Sequence, residues 1–269
     1  MDLGVRDRNF VLVGGTTGMG FGAAEALAAD GANLALLARD GVRAEAKARA
    51  LVEQHGVRAV GIAVDGAESG DGVDRAVDAA AEALGPLRGL AVTAGPMNQQ
   101  GLFLDHADDS WSWYFEVILM MTVRACRAVI PHLQRNGGGT IVTTAAYSVR
   151  APKPTIAPYT AMKAAVWSLT KNLAKTYGVD GIRVNTVCPG LVDTEVNDHI
   201  RATRAEQYGV PMEDAIYTHL ASSPEWNMRV ALGRAGTPRE AGELIAFLLG
   251  DRAAYMTGAA VNIDGGTDF

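Results

Sequence analysis

The sequence predicts an α/β domain built on a doubly wound parallel sheet with helices on both faces, and three observations carry that expectation. Short β-type runs alternate with Ala/Leu/Glu-rich helical stretches along most of the chain, the pattern of repeated βαβ units. Several runs, such as LALLA at 34–38 and VRAVGIAV at 57–64, are nearly all apolar, as strands covered on both sides should be. A glycine-rich loop stands between the first strand and the first helix, where a phosphate-binding turn belongs.

In chain order, the strand candidates are 9–13, 33–38, 59–64, 89–93, 140–144, 183–187 and 260–263, with helical stretches such as 20–29, 42–55 and 73–84 between them. The 269 residues, 48% hydrophobic and 20% charged, suit one globular domain spanning 1–269. A formal charge of −6 disfavours nucleic acid as a partner. Cys126 and Cys188 lack metal-ligand or CxxC spacing, and His106, His132, His199 and His219 share no spacing with carboxylates, so no metal is expected. The start lacks a signal-peptide core and no run approaches the roughly 20 apolar residues of a membrane span, so a cytoplasmic protein without a membrane partner is expected.

Residues 191–234 break the alternation. An insertion of this length reads as a lid or substrate loop, with a helical oligomer contact as the competing reading. Its Tyr208, Met212, Tyr217, Trp226 and Met228 point to a sizeable apolar or aromatic small-molecule substrate.

The glycine loop runs Val13-Gly14-Gly15-Thr16-Thr17-Gly18-Met19-Gly20. Gly14 supplies the turn, while Gly18 and Gly20 let the backbone approach a pyrophosphate at the helix N-terminus. The second strand ends Ala38-Arg39-Asp40. A carboxylate on its last residue would repel a 2′-phosphate. Ala38 followed by Arg39 therefore favours NADP(H) over NAD(H), with Asp40 as a ribose ligand if the register shifts by one. Tyr159 and Lys163 lie four apart on a helical stretch running to about 177, so phenol and ammonium share one face. A neighbouring cation favours phenolate and fits the phenol for proton transfer.

With these motifs in order, the whole chain resembles the short-chain dehydrogenase/reductase family, and in particular its 3-oxoacyl-ACP-reductase-like members. The glycine loop matches TGxxxGxG with Val13 for threonine, and Thr93-Ala94-Gly95 matches the end of NNAG. Asn185 with Val187-Cys188-Pro189-Gly190 and Thr194 matches NxVxPGxxxT, and 258–266 matches the terminal strand. The resemblance implies a single-domain Rossmann fold with a seven-stranded parallel sheet, hydride transfer from nicotinamide, and assembly as a homodimer or homotetramer. The implied cofactor contacts are Gly14, Thr16, Thr17, Gly18, Met19, Gly20, Arg39, Asp65, Gly66, Ala94, Gly95, Tyr159, Lys163, Pro189, Gly190, Val192 and Thr194. The C-terminal 267–269 could reach a neighbouring subunit, which nothing in the sequence decides.

Two family positions depart from the pattern. The serine usually thirteen residues before the tyrosine is Ala146, and the helical asparagine is Ile118. Loss of one donor to a developing oxyanion costs on the order of 10²–10³ in rate. Ser148, Tyr147 and Thr144 are the nearest substitutes. Ser148 is the chosen candidate, because in an extended strand end it shares the face of Ala146. Three functions follow: a carbonyl reductase or alcohol dehydrogenase with a modified oxyanion site; an enoyl-thioester reductase, for which an acyl thioester is the substrate; and a catalytically weak nucleotide-binding sensor.

Overall fold

A computed structural model describes residues 2–267, apart from 69, 98 and 224–225. Asp268 and Phe269, part of the C-terminal segment considered for a subunit contact, lie outside the described residues. The strands are β1 (Asn9–Val13), β2 (Asn33–Ala38), β3 (Ala59–Ala63), β4 (Leu87–Val92), β5 (Gly139–Thr144), β6 (Ile182–Pro189) and β7 (Ala260–Ile263). They form one parallel seven-stranded sheet in the order β3-β2-β1-β4-β5-β6-β7. Each strand falls where the alternation places it. β6 runs on to Pro189 because its pairing with β7 continues to Pro189 opposite Ile263.

The helices are α1 (Gly18–Ala29), α2 (Gly41–His55), α3 (Gly72–Leu84), α4 (Asp108–Tyr114), α5 (Met121–Arg135), α6 (Ala157–Tyr177), α7 (Asp198–Tyr208), α8 (Ala215–Ser222) and α9 (Pro238–Leu249). The two-residue period of the strands divides the core. Val11, Val13, Leu90 and Val92 face a cluster with α3 and α5, while Phe10, Leu12, Leu34 and Leu36 face another with α1 and α9. Both faces are therefore dry along β1, β2, β4, β5 and β6, which explains LALLA at 34–38. The apolar run at 57–64 instead contains the edge strand β3, which is only part-buried because it has a neighbour on one side alone. Helix ends carry their own stops: Asp40 caps α2, whose far end closes on Gly56 at φ +69°, and Thr237 with Glu240 forms a capping box on α9.

One packing contact depends on absent side chains. A Cβ on Gly242 of α9 would lie 2.2 Å from the Gly22 carbonyl carbon in α1, and one on Gly22 would lie 2.4 Å from the Pro238 oxygen. Because these atoms are backbone, the helices have to separate to admit a methyl group. Gly242→Ala is expected to destabilise the fold by about 1–3 kcal/mol, as overpacked core substitutions do. A denaturant titration checks this, and an unchanged midpoint refutes it.

Candidate active site

A cleft of about 1240 Å³ opens at the carboxyl ends of the strands. It crosses the place where β1 and β4 lie side by side and the winding reverses, the switch point at which open α/β sheets receive ligands. All seventeen residues that the sequence assigns to the cofactor line this one cleft.

At its glycine end, the backbone itself is the wall. Gly14 has φ +87°, and a Cβ there would meet the Ala94 nitrogen at 2.7 Å; one on Gly20 would meet the Gly14 oxygen at 2.2 Å. The Thr93 hydroxyl donates to the carbonyls of Val13 and Gly14 at 3.2 and 3.3 Å, so the residue standing in the family's asparagine position ties the loop to β4. Thr17, the α1 N-cap, makes no side-chain cap. Instead the Gly18 amide donates to a carboxylate oxygen of Glu195 at 2.9 Å. An anion thus already sits on the helix N-terminus, and a dinucleotide pyrophosphate fits the same donors and the same glycine cradle. Sequence reasoning missed Glu195, which is 177 residues from Gly18 in the chain.

Arg39 also lines the cleft and Arg43 joins it. Arg43 has no motif of its own; the first turn of α2 delivers it. Asp40, the alternative ribose ligand, is not in the cleft wall. Its carboxylate accepts from the Arg43 amide at 2.9 Å and stands 3.7 Å from Arg43 Nε, because it is the N-cap of α2. Asp65 reaches the wall, held by its Oδ1 accepting from the Ala67 amide at 2.9 Å.

The inner end holds Tyr159 and Lys163 on α6. Lys163 is 2% exposed, and its ammonium donates to the Thr144 carbonyl of β5 at 2.8 Å. Burial lowers its pKa to about 8, which leaves it cationic at neutral pH. Tyr159 packs edge-on to Tyr114, centroids 6.2 Å apart, and beside Ile118. Burial raises the Tyr159 pKa, with the phenols of Tyr147 and Tyr114 adding to the rise. This corrects the expectation that Lys163 depresses it. The ammonium lies 5.6 Å from the ring centroid and is committed to Thr144, so desolvation dominates. A phenol held protonated in this way is a proton donor.

Ile118 lies in a π-helical turn, Phe115–Met120, between α4 and α5. Its side chain is buried and its carbonyl accepts from the Thr122 hydroxyl at 2.7 Å. Ser148 also requires correction. It is fully buried, accepts from the Thr160 hydroxyl at 3.1 Å and does not line the cleft. The extended strand ends at Ala146, and Tyr147–Val149 form a 3₁₀ turn, so strand alternation no longer governs which way Ser148 points. Ala146 and Tyr147 do line the cleft. The Tyr147 hydroxyl is buried, with no hydrogen-bond partner among the described residues. Leaving such a group unpaired costs about 1–3 kcal/mol.

Described residues of the 191–234 segment contribute to the cleft lining. They contain α7 and α8, and Ile216, Leu220, Trp226 and Met228 form its apolar wall. Of the aromatic residues and methionines read as substrate-facing, Trp226 and Met228 line the cleft, whereas Tyr208 hydrogen-bonds His219 and Met212 is exposed. No helix among the described residues is long and apolar enough to cross a membrane.

Comparison with known proteins agrees with this geometry. A family model described as enoyl-(acyl carrier protein) reductase matches residues 13–268. The chain is 30% identical to 2-(S)-hydroxypropyl-CoM dehydrogenase 3 of Xanthobacter autotrophicus, over 97% of each chain. The fold superimposes on L-sorbose reductase of Gluconobacter frateurii, solved with NADPH and L-sorbose. That match has a TM-score of 0.87 and 32% identity, covering 99% of this chain and 98% of the other. A short-chain oxidoreductase of Pseudomonas aeruginosa containing an atypical catalytic center matches with a TM-score of 0.88 and 27% identity over 98% of both chains.

The Glu195 contact generates a direct test. A carboxylate on a helix N-terminus is worth about 0.3–1 kcal/mol, and a phosphate has to displace it. Glu195→Gln is therefore expected to tighten dinucleotide binding about two- to five-fold in a fluorescence titration. Weaker binding would show that Glu195 helps to hold the ligand.

Proposed function

The chain belongs to the short-chain dehydrogenase/reductase family of NAD(P)-dependent oxidoreductases, and from that premise we propose that it reduces the carbonyl of a neutral, sizeable apolar or aromatic compound with NADPH. The observation that carries this reading is one continuous cleft. It has the glycine cradle and two arginines at one end, the buried Lys163 with Tyr159 at the other, and an apolar wall above Tyr159. Arg39 and Arg43 support the choice of NADPH, since paired guanidinium groups match a 2′-phosphate and Asp40 is not among the residues lining the cleft.

The bound nicotinamide supplies the hydride. Tyr159 donates the matching proton to the carbonyl oxygen as the alcohol forms. Its raised pKa keeps that proton in place until an alkoxide, a stronger base than phenolate, develops. Lys163 holds positive charge beneath the reacting oxygen and, through Thr144, fixes α6 against β5. The lid side chains exclude water from the site. Dimer or tetramer assembly belongs to the same proposal, supported by the exposed Phe103, Leu104 and Phe115. Reduction of an enoyl thioester is the second reading, favoured by the matched family model and by the second phenol of Tyr147.

Purified protein with NADPH is expected to turn over aromatic and long-chain ketones. Tyr159→Phe should abolish that turnover while leaving NADPH affinity within a few-fold. Normal turnover in this variant sinks the mechanism, and activity confined to enoyl thioesters establishes the second reading. Replacing Arg39 and Arg43 together with alanine is expected to weaken NADPH at least ten-fold and NADH little, as loss of a charge-assisted phosphate site requires. Equal loss for both cofactors refutes the 2′-phosphate assignment.

A further inference from the structure

We propose that the Tyr147 hydroxyl is a catalytic hydrogen-bond donor that grips the substrate oxygen together with Tyr159, taking over the work that the Ala146 methyl cannot do. The inference rests on the carbonyl-reducing reading above and assigns a residue to its oxyanion site.

Thr144, Tyr147 and Ser148 are the nearest hydroxyl-bearing neighbours of Ala146 in the chain. Thr144 lines the cleft, but its proton is committed to the Val92 carbonyl at 2.8 Å. Ser148 is fully buried beside Thr160 and off the cleft. Tyr147 is left. The 3₁₀ turn that carries Ser148 away brings the Tyr147 ring to the cleft wall. The ring is 8% exposed and clusters with Ile156, Trp226 and Met228, with Tyr159 packed against the same cluster. A phenol locked in this way pays little conformational entropy on binding, and the long ring restores reach that the methyl of Ala146 lacks.

The hydroxyl at its tip is the second observation. It is buried without a partner among the described residues, although it belongs to a side chain with an otherwise complete apolar packing shell. Buried polar atoms are nearly always paired, and an orphan in a cleft is a donor prepared for something that arrives. The neighbouring phenol is Tyr159: burial raises the pKa of both, and Tyr147 adds to the rise at Tyr159, so both remain protonated and both can donate. Two neutral donors converging on one oxygen stabilise an oxyanion without requiring the missing serine. No proton leaves Tyr147 in this role; Tyr159 alone transfers one, and the Tyr147 bond strengthens as charge develops.

Tyr147→Phe deletes only this hydroxyl and keeps the ring against Trp226 and Met228. The melting temperature and NADPH affinity are expected to hold, while ketone-reducing kcat falls about 10²-fold or more. Adding Ala146→Ser in the Tyr147→Phe background should recover part of the loss, since it returns a hydroxyl to the same wall. A Tyr147→Phe enzyme whose kcat and KM both stay within about three-fold of the parent overturns the assignment, while Tyr159→Phe remaining inactive shows that the wider reading stands. A parent enzyme without ketone turnover fails that wider reading instead. A binding measurement then decides Tyr147 separately. A carboxamide analogue of the ketone, titrated into the protein with NADP⁺, should bind about ten-fold more weakly to Tyr147→Phe, and equal affinity overturns the assignment.

Discussion

The site depends on one buried cation. Lys163 is removed from water almost completely and is held by a hydrogen bond from its ammonium to the Thr144 carbonyl. Placing an ammonium there costs several kcal/mol before compensation, which is why its pKa falls to about 8. The bond also defines the docking of α6. It fastens the first turns of that helix to the carboxyl end of β5, and the Thr143–Thr170 hydroxyl pair at 2.7 Å fastens the next turns. Tyr159, one turn before Lys163, is thereby set at the cleft wall.

From this anchor the remaining geometry follows by contact. Tyr159 is packed by Tyr114 and Ile118, which come from α4 and the π-helical turn after it. Tyr114 is fixed in turn because its hydroxyl donates to the Gln99 carbonyl at 2.9 Å and accepts from the Gln99 amide at 3.0 Å. An apolar Ile118 therefore fills structural space against the reactive tyrosine while giving up the polar group that the family pattern places there. Tyr147, which lines the cleft, carries a hydroxyl with no partner among the described residues. A family position is exchanged at the glycine loop too, where Thr93 replaces an asparagine and its hydroxyl clamps two loop carbonyls.

The ligand end obeys a different constraint, backbone proximity. Gly14, Gly20, Gly22 and Gly242 each sit where a Cβ would overlap main-chain atoms. Their spacing brings α1 close enough to β1 and β4 for its N-terminal amides to face the cleft. Glu195, from the loop after β6, accepts from one of these amides, that of Gly18.

The sequence by itself determined the fold and the placing of Tyr159 and Lys163 on one helix face, because both are written in local periodicity. Strands of period two, helices of period 3.6, glycines between them and a four-residue spacing need no knowledge of distant contacts. The residues it assigned to the cofactor meet in one cleft because most of them follow the carboxyl ends of strands whose order the alternation implies, with Tyr159 and Lys163 joining them from α6. Tertiary structure decided what lies where the chain leaves regular structure. Ser148 was expected on the cleft by strand alternation, but the strand stops at Ala146 and a 3₁₀ turn exchanges its place with Tyr147. Asp40 became a helix cap and Arg43 a wall residue through the first turn of α2. Glu195 reached Gly18 only through folding. The Tyr159 environment was likewise set by burial rather than by the nearby lysine, since desolvation depends on everything packed around a group and not on its spacing from one partner.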